Sequence, residues 1–256
     1  MKRLCGAAVL VLASVVLAGC TVVDPTGSAA RKIHKLFDDD PAVATIKVEE
    51  ETPPPFGGSI DIYAGIRPEA SNEQLLALQE RLSAYAEAPP SQVDSVEAYL
   101  RSGKTNLEVC GIPRGREEAL DFMHAIEADP RVERGQVFCS SNGFTSVYLS
   151  VTDEEDFTDI AKDWRDAIAA INDSQDIEIS LRGPGTLGPT FTTLASRVEP
   201  WSKIWDGINE KFSPDRFHLS PDRASLYVWD EEEASAVRRI LESVMDPDLI
   251  DVSLRW

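Results

Sequence analysis

The chain has 256 residues, of which 44 are acidic and 25 are lysine or arginine, and its formal net charge at pH 7 is −19. A surface this acidic repels the phosphates of nucleic acid, so nucleic-acid binding is disfavoured. Apolar residues make up 43% of the chain, which is enough for packed cores and argues against a disordered stalk.

The N-terminus carries a localisation signal. Two basic residues precede an uncharged apolar run over residues 4–16, which is shorter than the ~20 residues of a membrane-spanning helix. Small residues then lead to Cys20 in the sequence Leu-Ala-Gly-Cys. This layout resembles the signal peptide (residues 1–19) and lipobox of bacterial lipoproteins. The resemblance implies cleavage before Cys20, acyl chains on its sulfur, and anchoring to the cell membrane on the extracytoplasmic side. The alternative is an ordinary secretory signal or an uncleaved anchor.

Two of the four cysteines are left for the folded body. Cys5 would leave with the signal peptide, and Cys20 would carry the lipid. Outside the cytoplasm the remaining pair, Cys110 and Cys139, is expected to form a disulfide. The alternative is two free, buried cysteines that behave as small apolar residues.

A short tether and a basic helix are predicted next. Residues 20–27 form the lipidated tether, and residues 29–37 form the helix. Its basic residues are Arg31, Lys32, His34 and Lys35. They could contact anionic lipid headgroups. Because the stretch is short, we favour an ordinary amphipathic helix packed on the first domain.

A unit of alternating strand, amphipathic helix and alternating strand recurs through the rest of the chain. Strands are predicted over residues 43–49, 59–66, 93–100, 106–112, 132–139, 145–151, 177–181, 216–219, 225–229 and 249–255. Helices are predicted over residues 72–86, 116–128, 154–171 and 231–245. Residues 183–189 are a linker, and a helical pattern from Leu194 to Phe212 begins or kinks at Pro200.

The strand pattern predicts the fold class. Alternation of apolar and polar residues indicates that helices cover one face of each sheet, which argues against a doubly wound parallel sheet. Two βαβ units joined by a tight hairpin suggest an α+β fold of tandem ferredoxin-like βαββαβ units with antiparallel sheets. The units would span residues 28–102, without an opening strand, then 103–183 and 184–256. A different grouping, in which the first two full strand–helix–strand units pair with each other, is also compatible with the sequence.

This arrangement conflicts with the disulfide prediction. It places Cys110 and Cys139 on strands that flank a third strand, and such strands are ~9.6 Å apart. That separation is too large for a regular disulfide. Either the bond forms beyond the strand ends or the predicted strand order is wrong.

Short motifs indicate no catalytic chemistry. Residues 98–105 approach a phosphate-loop pattern, but a strand follows them instead of a helix. The Gly-x-Gly-x-x-Gly at residues 183–188 contains or adjoins prolines that remove backbone donors. Zinc spacings and hydrolase motifs are missing, and the acidic runs are typical of helix caps and solvated loops. We therefore predict no catalytic residue, metal or cofactor.

Four aromatic residues form the candidate binding face. Tyr63, Tyr148, Tyr227 and Trp229 fall on the polar side of their strands, away from the helices. The competing interpretation is that neighbouring domains cover them. The sequence thus favours a lipid-anchored binding or assembly module that contacts a protein or an envelope polymer. The alternative function is an envelope-associated hydrolase with an acidic inter-domain site.

Overall fold

The structure is a computed structural model that describes residues 25–51, 58–91, 93–140, 142–153, 156–172, 176–184, 190–212, 216–220 and 223–254. The predicted signal peptide, Cys20, most of the 183–189 linker and the turn at Pro221 lie outside the described residues.

The described residues form helices and strands in regular alternation. The helices are α1 (Pro25–Phe37), α2 (Asn72–Glu87), α3 (Arg116–Ala128), α4 (Phe157–Ile171), α5 (Val198–Phe212) and α6 (Glu231–Glu242). The strands are β1 (Val43–Glu51), β2 (Ser59–Ile66), β3 (Ser95–Ser102), β4 (Thr105–Glu108), β5 (Val132–Ser140), β6 (Gly143–Val151), β7 (Glu178–Arg182), β8 (Thr190–Leu194), β9 (Arg216–Ser220), β10 (Arg223–Val228) and β11 (Ile250–Leu254).

The eleven described strands form one sheet in which the spatial order equals the chain order. Strands joined through a helix run parallel and pair directly, as β2 does with β3 across α2. Strands joined by a short turn run antiparallel, as β3 does with β4. Helical crossovers and hairpins thus alternate along the chain, and each adds the next strand at the growing edge of the sheet.

The mixed α and β composition agrees with the predicted class, whereas separate ferredoxin-like sheets are not confirmed. In a split βαβ unit another strand lies between the two parallel strands, but here they are direct neighbours. The sheet is also mixed and not antiparallel. The predicted unit boundaries near Gly103 and Gly183 fall where β3 pairs with β4 and β7 pairs with β8, inside the continuous sheet.

The described helices lie in one layer on one face of the sheet. Neighbouring helices contact each other from α2 to α6, and Phe37 of α1 packs edge-on against Tyr85 of α2. In β2, Ile60, Ile62 and Ala64 are fully buried beneath this layer. The buried leucines of α2 are Leu75, Leu78 and Leu82. Each such leucine contributes roughly 1.5–3 kcal/mol relative to an exposed one.

Capping side chains account for the starts of α2 and α6. Ser71 accepts a hydrogen bond from the Gln74 amide, and the Gln74 side chain accepts one from the Ser71 amide at 2.9 Å. This capping box begins α2 at Asn72, where the predicted helix also starts. Asp230 accepts from the Glu233 amide at 2.9 Å and begins α6.

Several elements differ from their predicted ranges, and three of these differences concern β8, α5 and α1. Strand β8 (Thr190–Leu194) was missed, because Leu194 also fits the helical pattern that follows, although Thr-Phe-Thr-Thr-Leu has high β-propensity. Helix α5 begins at Val198 and holds Pro200 in its first turn, where no intrahelical donor is needed. Helix α1 begins at Pro25, inside the predicted tether.

Replacing Gly115 by alanine should destabilise the fold. Gly115 caps α3 with φ +76°, and a Cβ there would lie 1.8 Å from the backbone oxygen of Ile171. We expect a loss of at least ~2 kcal/mol of unfolding free energy, measured by urea denaturation.

Gly207, in the middle of α5, is the matched control. A Cβ there meets no atom within 4 Å, so Gly207→Ala should stabilise the protein by roughly 0.5–1 kcal/mol. A Gly115→Ala variant as stable as the wild type would contradict the close approach of Gly115 to α4.

Candidate functional site

The face of the sheet opposite the helices is called the open face. None of the described helices packs on it, and its side chains alternate with the buried ones along each strand. Strand registers align these side chains in rows that cross the sheet. One row runs Arg101, Asn106, Gln136, Tyr148, Ser180 and Thr192. The next runs Arg134, Ser150, Arg182, Thr190 and His218.

The four predicted aromatic residues do not form one cluster. Tyr63 (β2) and Tyr148 (β6) are four strands apart, which is about 19 Å, and the same spacing separates Tyr148 from Tyr227 (β10). Trp229 follows β10 and is 58% exposed, and Tyr227 is 40% exposed. Only these last two lie close together in the chain.

Tyr63 has a partner that sequence reasoning missed. Its ring stacks on Tyr99 of β3, with centroids 5.1 Å apart and planes 13° from parallel. The Tyr99 hydroxyl donates a 2.6 Å hydrogen bond to Glu97. Burial and the adjacent Glu97 raise the pKa of Tyr99, so the hydroxyl stays protonated and keeps donating. Asp61 and Glu97 are register partners, so this side of the open face is acidic.

A shallow depression of about 980 Å³ lies on the open face between β3 and β7. Its basic side chains are Arg101, Lys104, Arg134 and Arg182, and we call this set the basic patch. Polar neighbours Asn106, Gln136, Tyr148 and Ser150 complete most of the lining. Glu133 is the acidic residue among the lining side chains, so the patch is locally positive in a strongly negative chain.

The cations of the basic patch differ in how the protein holds them. Lys104 donates to the carbonyl oxygen of Val132 at 2.6 Å and to that of Asp129, which fixes it at the start of β5. Arg182 donates to the Tyr148 hydroxyl at 3.5 Å. Arg101 and Arg134 are exposed, and within the described part of the chain neither has a carboxylate at ion-pair distance.

The direct pairing of β4 with β5 resolves the cysteine conflict. Cys110 follows β4, and Cys139 lies near the end of β5. Their Cα atoms are 5.9 Å apart, which is disulfide distance. The predicted separation by a third strand is wrong, because no strand intervenes between these two.

Sequence reasoning also missed the basic patch. Each arginine of the patch sits on the polar side of a strand that the sequence largely predicts, and that alternation was the available signal. Their proximity depends on strand order, which alternation does not encode.

Neither the described side chains nor comparison with known proteins assigns a function to this site. No three His, Cys, Asp or Glu side chains of the described residues are grouped as metal ligands. Of the helices that the structure describes, none has the length and hydropathy to cross a membrane. No protein-family model matches the chain, and no curated protein and no solved structure matches it.

Substituting Asp129 should loosen the base of the basic patch. Its carboxylate accepts from the Arg131 guanidinium at 2.8 Å and from the Trp164 indole at 3.2 Å, while its carbonyl holds Lys104. The hydrogen bonds from Arg131 lower the pKa of Asp129. At pH 7 Asp129→Asn should cost about 2 kcal/mol of unfolding free energy.

This difference should depend on pH. A lowered folded-state pKa stabilises the protein fully above the unfolded value of about 3.9, and the contribution disappears as pH falls through the folded value. Denaturation at pH 7 and pH 3 should therefore show a smaller gap at pH 3. Asp166→Asn, in an exposed pair with Arg165, is the control and should change little at either pH. A pH-independent gap would contradict the carboxylate's role.

Proposed function

We propose that this chain is a lipid-anchored lipoprotein on the extracytoplasmic side of the cell membrane. Acyl chains on Cys20 would hold it there, as the Leu-Ala-Gly-Cys sequence after an apolar run implies. The acidic composition keeps such a body soluble and separated from anionic headgroups. Helix α1, which begins at Pro25, would lie a few residues from the lipid.

We further propose that the protein is a binding or assembly module that contacts another protein or an envelope polymer. The supporting observation is the open face, which no described helix covers and which carries exposed aromatic and cationic side chains. Aromatic and arginine side chains provide most of the affinity in many interfaces. An open, mainly polar sheet face can stay solvated alone and still offer these anchors to a partner.

The alternative, an envelope hydrolase with an acidic site, has less support. Burial raises the pKa of Glu108, which is a property of catalytic acids. However, the Glu108 carboxylate accepts the Cys139 amide at 2.9 Å and thereby ties β4 to β5. A structural role therefore accounts for this carboxylate.

Replacing Cys20 by serine should abolish lipid attachment. A serine hydroxyl cannot form the thioether, so radiolabelled palmitate should label the wild type but not Cys20→Ser in the native host. Fractionation should find the variant no longer retained through acyl chains in the membrane. Cys110→Ser is the matched control and should keep its label. Equal labelling of the Cys20→Ser variant would contradict the anchor.

Alanine at Tyr148 or Trp229 should weaken capture of the partner from detergent-solubilised envelopes. Loss of an aromatic anchor typically costs more than 1 kcal/mol, so about five- to tenfold less partner should be retained. Val244→Ala, half-exposed beyond α6, is the control. Urea denaturation would verify that all variants fold. Unchanged capture by both aromatic variants would count against the open face as the binding surface.

A further inference from the structure

We propose that the basic patch binds an acidic polysaccharide of the cell envelope, with carboxylates on Arg101 and Arg134 and sugar hydroxyls on the neighbouring polar side chains. This inference deepens the proposed binding function and rests on it. It names the ligand class, which the open face alone does not.

The charge distribution points to an anionic ligand. Acidic residues exceed basic ones by 19 over the whole chain, yet the side chains that line the depression include four cations and one carboxylate, that of Glu133, while the nearby Glu127 carboxylate accepts a hydrogen bond from the Lys104 amide. Arg101 and Arg134 make no ion pair with any described residue. Like charges on one surface repel each other, and a bound polyanion would remove that repulsion. The patch is therefore complementary to repeated negative charges.

The spacing of the cations points to an extended chain. Arg134 and Arg182 lie in one row with Ser150 between them, two strands apart, which is about 10 Å. Arg101 belongs to the adjacent row, with Asn106 and Gln136 beside it. A ligand that crosses these strands would meet guanidinium groups separated by neutral hydrogen-bonding groups. A polymer with carboxylates spaced along a hydroxyl-rich backbone matches this order.

The side chains around the cations favour a sugar over a peptide. Asn106, Gln136 and Ser150 offer donors and acceptors that suit hydroxyl groups, and Tyr148 offers a ring face beside them. The patch lies in the middle of the sheet, where backbone groups are already paired, so a peptide cannot add as a strand there. Arginine also binds planar carboxylates with two parallel hydrogen bonds.

Isothermal titration calorimetry of the full chain in non-ionic detergent tests the inference, with polygalacturonate as the acidic polysaccharide and dextran as the neutral one. The wild type should bind polygalacturonate and not dextran, and added salt should weaken the binding. Arg101→Gln and Arg134→Gln should each weaken it about tenfold, since each removes one charge-assisted contact. Arg238→Gln, the same charge change on exposed α6, should leave it unchanged.

Several results would overturn the inference. They are equal binding of dextran, wild-type affinity of the Arg101→Gln and Arg134→Gln double variant, and equally tight binding of poly-L-glutamate, which would indicate an acidic protein partner. Self-association of the chain that the double variant abolishes would assign the patch to a second copy. If polygalacturonate does not bind while Tyr148→Ala still lowers envelope capture, the ligand class is wrong and the binding role stands.

Discussion

Burial of one face of the sheet beneath a single helix layer is the constraint on which the rest of the structure depends. Apolar side chains such as Ile60 and Ile62 lie under the helices, whereas Asp61 and Tyr63 between them lie on the other side. A charge moved to the buried side would lose its hydration without a partner. The alternation of apolar and polar residues along each strand is therefore required for stability, because every second side chain lies beneath the helices. The opposite side carries no such requirement and is free to serve binding.

The order of the strands determines which of those free side chains meet. Because crossovers and hairpins alternate, every strand is added beside its predecessor, and the basic patch gathers residues from β3 through β7. The same order brings Cys110 beside Cys139 at the β4–β5 pair. Lys104, held by the carbonyl oxygens of Asp129 and Val132, joins the β3–β4 turn to the start of β5. This contact restrains the strands that carry the patch, and a bond between the two cysteines would restrain them further.

The sequence predicts the elements better than their arrangement. Helix α2 is evident from Leu75, Leu78 and Leu82 and from its capping residues, because these are local and periodic signals. The alternation that decides which side chains of a strand face the helices is an equally local signal. The order of the strands across the sheet is not encoded by a local signal, since an alternating strand fits beside any partner with a matching pattern. That is why the ferredoxin-like units are not confirmed, why the cysteine separation was mispredicted, and why Arg101 and Arg134 were not recognised as neighbours.

Screening explains how so acidic a protein can present a positive surface. Along β3 the exposed side chain of Glu97 and that of Arg101 are four residues apart, which is about 13 Å. The Debye length at physiological ionic strength is about 8 Å, so exposed charges at this distance interact weakly. Tyr99 lies between them and is stacked on Tyr63, and its register partner Glu108 on β4 accepts a hydrogen bond from the Cys139 amide. The acidic side of the open face, around Asp61 and Glu97, and the basic patch can therefore act as separate surfaces on one sheet.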